Sequence, residues 1–236
     1  MNLDTKWLGQ VAYREAYALQ LKLREERRAG LIGDMLLLLE HPPTFTLGRR
    51  DCEADFLQPV ESLAASGYDI IKVERGGRVT YHGPGQLVGY LICDLKQRAL
   101  SVPDFVERVE RGLQTFLCQH GITAQLKQGC PGLWVEERKI VSLGFHIERG
   151  ISIHGFAINI FCDLSPFKLI LPCGHQCEMT SIQQEINKVI PLDSLTYSIN
   201  MHIKRALETR GCRSQNSDTP SWDRHSCFRA VSTGGG

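Results

Sequence analysis

The twelve residues Arg75-Gly76-Gly77-Arg78-Val79-Thr80-Tyr81-His82-Gly83-Pro84-Gly85-Gln86 hold four glycines and a proline. No helix or regular strand carries that density without large cost, because glycine forfeits the most backbone entropy and proline removes a hydrogen-bond donor. The segment therefore has to adopt special backbone angles or lie close against something. It is suited to wrapping an elongated ligand with backbone amides while Tyr81 and His82 line the walls. A hairpin with two tight turns fits the same pattern. A phosphate loop does not, since there is no Gly-Lys-Ser/Thr and no Gly-x-Gly-x-x-Gly opening a helix.

Around this segment the periodicities alternate. Tyr13 to Arg28 predicts a helix, with Tyr13, Tyr17 and Leu21 at helical spacing and Gly30 as its stop. Met35–Leu39 is a short apolar run before His41-Pro42-Pro43, and reads as a buried strand. Thr44–Leu47, Tyr68–Val73 and Gln86–Leu95 read as further strands. Ser101-Val102-Pro103-Asp104 opens a helix that should run to about Gln119 and stop at Gly121. Strands follow at Leu133–Val135, Lys139–Ile147 and Ile151–Phe161, the last two joined across Glu148-Arg149-Gly150, and a final helix is expected over roughly Ser194–Thr209. Helices and strands interspersed in this way predict an α+β domain of mixed sheets with flanking helices. Residues 1–210 read as a single domain, and residues 211–236, polar and ending in three glycines, as a mobile tail.

Composition excludes several function classes. With 42% hydrophobic residues and a formal net charge of +1, the chain is an ordinary globular sequence with no overall attraction to nucleic acid or an anionic membrane. No run reaches the roughly 18 apolar residues of a membrane helix, and early acidic residues argue against a secretory or mitochondrial leader. The expectation is a cytoplasmic protein. Nine cysteines cannot all pair internally, and in a reducing compartment most are buried thiols.

One cysteine stands apart. In Leu171-Pro172-Cys173-Gly174 proline fixes the approach of the chain and glycine leaves space beside the sulfur, as an acyl carbonyl attacking site needs. A thiol with pKa near ~8.5 is mostly protonated at neutral pH and needs help to ionise. Lys139, which begins the strand-like run Ile140-Val141-Ser142-Leu143-Gly144, is the candidate: an ammonium beside the sulfur favours thiolate and could shuttle the proton. A solvated charge at a strand end is the other reading of Lys139. Cys173, His175 and Cys177 offer three metal-ligand residues in five positions, but no second compact pair completes a zinc site, so no metal is expected.

Ile151 to Ile160 reads as a strand in which Gly155, Ala157 and Asn159 share one face. That face would make a shallow floor for an alkyl chain, with Asn159 available as a hydrogen-bonding anchor. His154 could act as a base, yet with no identifiable partner it reads as a structural group.

Taken together, Arg75–Gln86, Pro131-Gly-Leu-Trp-Val135, Lys139–Gly144, His154-Gly-Phe-Ala-Ile-Asn159 and Pro172-Cys-Gly174 resemble the octanoyltransferase family of lipoate biosynthesis, from about Leu8 to about Ile190. The resemblance implies a fold similar to the catalytic domain of biotin and lipoate protein ligases, and a dyad of Cys173, the acyl-thioester residue, and Lys139. It implies acyl-binding positions at Arg75, Gly76, Gly77, Arg78, Val79, Thr80, Tyr81 and His82, at Ser142, Leu143 and Gly144, and at Gly155, Phe156 and Ala157. The implied donor is octanoyl-acyl-carrier protein, which Arg49, Arg75 and Arg78 could attract. The implied acceptors are lipoyl domains of 2-oxoacid dehydrogenases and the glycine cleavage H protein. No cofactor, nucleic acid or membrane is expected, and the default is a monomer. Two other readings share these features: an ATP-dependent lipoate ligase, in which Cys173 has no role, and a non-catalytic acyl-binding module.

Overall fold

The computed structural model describes residues 2–50, 53–127, 130–172 and 174–209. Cys173 and the segment 211–236 lie outside the described residues. The chain runs β1 (Leu3–Gln10), α1 (Tyr13–Arg28), β2 (Asp34–Glu40), β3 (Thr44–Leu47), α2 (Val60–Ala65), β4 (Asp69–Lys72), β5 (Thr80–His82) and β6 (Gln86–Ile92). It continues through α3 (Val102–Gln119), β7 (Gln125–Lys127), β8 (Cys130–Val135), β9 (Arg138–Glu148), β10 (Ile151–Asn159), α4 (Ile182–Ile186) and α5 (Leu192–Glu208). A seven-stranded sheet is ordered β1-β2-β6-β10-β9-β8-β7, and a three-stranded sheet β4-β3-β5. Only β1–β2 and β3–β4 pair in parallel, so both sheets are mixed and the α+β expectation holds.

The run Leu36-Leu37-Leu38-Leu39 explains why β2 lies inside: alternate residues face opposite sides of a sheet covered on both. Leu36 and Leu38 join one core with Phe105, Val109 and Leu113 of α3 and Ile199 and Ile203 of α5. Leu37 and Leu39 join the other with Tyr13, Ala16 and Leu23 of α1. Each of the four leucines is at most 1% exposed, and burial of such a side chain contributes roughly 1.5–3 kcal/mol.

The ends of α3 follow from its sequence. The Ser101 side chain caps the Asp104 N–H at 3.2 Å, with Pro103 in the first turn. At the other end Gly121 takes φ +78°, and the Ile122 N–H reaches back to the Leu117 carbonyl at 3.0 Å. Arg149 and Gly150 both take positive φ, as a two-residue hairpin turn between β9 and β10 demands.

Some elements differ from the sequence reading. β6 ends at Ile92 and β10 at Asn159, and α5 begins at Leu192 behind Pro191. The edge strand β1, the short strands β5 and β7, and the helices α2 and α4 carry no sequence signal strong enough to anticipate them.

The small sheet has its own apolar centre, where Phe45, Phe56, Tyr81 and Phe167 pack together. The segment between β4 and β5 is laid over the large sheet, where the Gly76 N–H donates to the Phe145 carbonyl of β9 at 2.9 Å. That seam encloses the cavity described next.

Candidate functional site

A cavity of about 200 Å³ lies between the glycine-rich segment and the face of β6, β10 and β9. Its floor is the pairing of β9 with β10, where Ala157 sits opposite Ser142 and Gly155 opposite Gly144. Small residues are required there. A Cβ on Gly155 would fall 2.1 Å from the Gly89 carbonyl oxygen of the neighbouring strand β6. On β10 that stretch of floor thus carries nothing larger than the Ala157 methyl, as the small-residue face of the sequence suggests. Asn159, the third member of that face, is committed elsewhere: it accepts from Gln86 Nε2 and donates to the Thr180 carbonyl, both at 3.0 Å.

The glycine-rich segment forms the opposite wall, lining the cavity through Arg75, Gly77, Arg78, Val79, Thr80 and His82. Gly76 and Tyr81 do not line it; Gly76 is the tie to β9, and Tyr81 turns its ring into the small-sheet core against Phe45 and Phe167. Arg75 is 7% exposed, and its guanidinium donates to the Thr46 carbonyl at 2.6 Å and to the Thr46 hydroxyl. It therefore fixes the loop from inside rather than presenting charge to a protein surface. Arg49 and Arg50 are exposed, and Arg50 reaches the cavity. Leu143 and Phe156 also line the cavity, but the Phe156 ring packs in the opposite core, where a Cβ on Gly89 would meet its Cζ at 2.2 Å.

Lys139 lies at one end. It is 5% exposed, lines the cavity, and sets its Nζ 5.3 Å from the centre of the Trp134 ring. Gly132, at φ +131°, makes room for it: a Cβ there would lie 2.5 Å from Lys139 Cε and 2.3 Å from the Val141 carbonyl oxygen. The solvated strand-end reading of Lys139 does not hold.

Pro172 lines the same cavity, so the chain on the near side of Cys173 is part of its wall. The segment is anchored on both flanks. The Leu171 N–H donates to the Asp55 carbonyl at 2.7 Å, and the Gly174 N–H to the Leu171 carbonyl at 3.0 Å. Beyond it, the Lys139 N–H donates to the Glu178 carbonyl at 2.8 Å and the Lys139 carbonyl accepts from the Thr180 N–H at 2.9 Å. The strand that carries the lysine and the segment that carries the cysteine are stitched together by main chain. Among the described residues no cluster of His, Cys, Asp or Glu could hold a metal ion; Cys162 is buried beside Asn159, and the Cys177 Sγ lies 3.7 Å from Met179 Sδ.

At the other end sequence reasoning finds His82 as a binding position and His154 as a structural group, but not Tyr13, Tyr90 or His41. Tyr13 from α1, Tyr90 from β6 and His154 from β10 line that end with His82. His41 stands behind, its Nδ1 2.7 Å from the Val11 carbonyl and its Nε2 2.7 Å from the Tyr90 hydroxyl. A carbonyl only accepts, so the neutral ring carries its proton on Nδ1 and accepts from Tyr90. His82 is satisfied likewise by Gln86 Oε1 at 2.8 Å and the Thr46 hydroxyl at 3.3 Å. Burial holds all three imidazoles neutral, lowering His41 to about 4, His154 to about 3, and His82 well below its usual value.

The lipoyl protein ligase A/B catalytic domain family matches residues 12–204. The octanoyltransferase of Acidobacterium capsulatum is 44% identical over 200 residues, 79% of this chain and 81% of its own length. That of Myxococcus xanthus is 42% identical over 207 residues, 84% of this chain but 58% of its own length. Among solved structures, a lipoate-protein ligase A bound with ATP superposes with TM-score 0.69 at 12% identity, covering 88% of this chain and 86% of that one. A biotin protein ligase from Aquifex aeolicus, in complex with biotin and ATP, superposes with TM-score 0.54 at 13% identity, covering 86% and 70%.

Proposed function

This chain belongs to the lipoyl protein ligase A/B catalytic domain family and is an acyltransferase of the octanoyltransferase kind, and from that premise we propose that it carries the acyl group on Cys173. The donor is octanoyl-acyl-carrier protein. The acceptors are lysine ε-amines on lipoyl domains of 2-oxoacid dehydrogenases and on the glycine cleavage H protein.

The observation that carries this reading is that buried Lys139 and Pro172, the residue before Cys173, line one cavity. In the first half, Lys139 takes the Cys173 proton and the thiolate attacks the donor thioester carbonyl. The carbon–sulfur bond to the carrier's phosphopantetheine breaks, and that thiol leaves with the proton from Lys139. In the second half the acceptor amine attacks the Cys173 thioester, the amide forms, and the sulfur regains a proton. A thioester replaces a thioester and an amide then replaces it downhill, so no nucleotide is consumed. The cavity supports the reading by its size: about 200 Å³ lies below the roughly 300–1,000 Å³ of pockets for drug-sized ligands and suits a slim hydrocarbon chain. No helix among the described residues is long and apolar enough to cross a membrane.

The test is the intact mass of the protein after incubation with octanoyl-acyl-carrier protein without ATP, beside Cys173→Ser and Lys139→Ala. A hydroxylamine-labile octanoyl adduct, absent from Cys173→Ser and slow to form in Lys139→Ala, is expected. Transfer only upon addition of ATP, with no adduct, would replace the transferase reading by that of a ligase.

A further inference from the structure

The three buried histidines at the inner end of the cavity are not equivalent. His41 and His82 each have both ring nitrogens occupied by protein groups, whereas among the described residues neither His154 Nδ1 nor Nε2 has any such partner. His154 is 1% exposed and lines the cavity. Its ring is fixed by stacking on Tyr17, with centroids 5.5 Å apart and planes 11° from parallel, and by an edge contact to Tyr90. It also sits in mid-strand at φ +59°, a left-handed conformation that a non-glycine residue adopts at a cost. The strand register does not slip there, since His154 still pairs with Phe145 and Gly155 with Gly144. The backbone is instead held from outside, where the His154 N–H donates to Gln20 Oε1 at 2.8 Å. Two costs, a strained backbone and a buried imidazole with no hydrogen-bonding partner among the described residues, fall on one residue that lines the ligand space. Such groups call for a hydrogen-bonding partner that arrives with the ligand.

The position along the cavity identifies which part of the ligand that is. Phe145, opposite His154, lies six residues along β9 from Lys139, roughly 20 Å at about 3.3 Å per residue. An extended eight-carbon chain is about 9 Å long at bond lengths near 1.5 Å, so from a carbonyl held at the Lys139 end it is the terminal carbons that run toward His154. His154 therefore meets the far end of the acyl chain and not its carbonyl. Between the two ends Ala157, Gly155 and Val88 offer no side-chain hydrogen-bonding group, and the hydroxyls there belong to Ser142 and Thr80.

We propose that His154 forms a polar subsite at the inner end of the cavity, which accepts medium-chain acyl groups carrying a hydroxyl at the terminal carbons by hydrogen-bonding that hydroxyl. The subsite rests on the acyl-transfer reading above and extends it to a substrate class beyond the plain octanoyl chain. The neutral imidazole offers one donor and one acceptor, so it can both give to and receive from a single hydroxyl.

The experiment measures kcat/KM of the wild type with octanoyl-, 8-hydroxyoctanoyl- and 4-hydroxyoctanoyl-acyl-carrier protein. An unpaired hydroxyl in a buried cavity costs about 10- to 100-fold. The 8-hydroxy chain is expected within about 10-fold of octanoyl and ahead of the 4-hydroxy chain, whose hydroxyl lies away from His154. His154→Phe is then expected to lower the ratio of 8-hydroxyoctanoyl to octanoyl kcat/KM by about 10- to 100-fold, and His154→Gln to restore part of it. Equal rejection of both hydroxylated chains by the wild type overturns the proposal without needing any variant to fold. So does a ratio that His154→Phe leaves unchanged. Failure of octanoyl itself to load Cys173 would sink the transferase reading instead, which separates the two.

Discussion

Asp55 grips Arg78 with its carboxylate, accepting from Nη2 at 2.6 Å and from Nε at 2.9 Å, while its own backbone carbonyl holds the Leu171 N–H at 2.7 Å. One residue thus fixes both an arginine and the approach to Cys173. The guanidinium lies against Gly174 on the other flank, where a Cβ would stand 3.4 Å from Arg78 Cζ. Asp55→Asn keeps the backbone acceptor but removes the charge that aligns the fork of donors. Arg78 is 36% exposed at its side chain, so it can rehydrate, and the stability cost should stay near 1 kcal/mol instead of the several expected for a fully buried pair. Cys173 acylation should slow by about 10- to 100-fold. The octanoyl-adduct time course, read beside urea unfolding, checks both numbers; an unaltered rate would remove Asp55 from any role in placing the cysteine segment.

Gly132 and Lys139 are coupled by volume. A methyl group at residue 132 has nowhere to go, with Lys139 Cε at 2.5 Å and the Val141 carbonyl at 2.3 Å, and φ +131° already excludes most side chains. Gly132→Ala should displace the lysine or part β8 from β9, at about 1–3 kcal/mol of stability. Loading of Cys173 should fall to the level of Lys139→Ala. Acylation rates that differ between the two variants, in a Gly132→Ala protein with a native near-ultraviolet circular dichroism spectrum, would count against this coupling.

Much of the fold was legible because local chemistry agreed with the tertiary result. The helix read at Tyr13 to Arg28 and the strand at Thr44–Leu47 have those bounds in the structure, and Ser101 and Gly121 mark the ends of α3 by their capping geometry. β1 was missed because it is an edge strand whose Asp4 and Lys6 point to solvent, and its pattern is set by pairing with β2 rather than by its own residues. β5 and β7 have three residues each, too few for any periodicity to register. In the site, the glycine-rich segment and Lys139 are legible from their own residues, and the resemblance of their motifs adds their roles. Tyr13 and Tyr90 are not, since a helix start and a central strand meet only through the sheet order. His154 was read as structural because no partner was visible in the sequence. The structure supplies no protein partner either, but it turns the ring toward the cavity.

The narrowness of the floor predicts a chain-length switch. Ala157 lies between Ser142 on β9 and Val88 on β6, part-way between Lys139 and His154. Ala157→Leu would fill that level of the channel with three additional carbons. Octanoyl transfer should fall by about 10- to 100-fold, while four-carbon acyl-carrier protein becomes the better substrate of the two. Competition between butyryl- and octanoyl-acyl-carrier protein in one reaction, read by mass on Cys173, gives the ratio directly. A preference for octanoyl that survives the substitution would mean the chain runs elsewhere.

Buried neutral histidines make the fold sensitive to acid. His41 and His154 titrate at about 4 and about 3 in the folded protein, chiefly because burial disfavours the cation, and His82 is lowered by the same cause. Unfolded, each returns to about 6.5. Between about pH 6.5 and 4 the unfolded chain therefore binds protons that the folded chain does not, and stability falls as pH falls. His41 and His154 each contribute about 1.4 kcal/mol per pH unit in that window and nothing above it, where both states are neutral. His154→Asn, which suits the left-handed backbone and does not titrate, should flatten the slope of unfolding free energy between pH 6 and 4.5 by about that amount. Urea unfolding at half-unit steps measures it. Parallel wild-type and variant curves across the window would show that His154 takes up its proton in the folded state, and would open the inner end of the cavity to water.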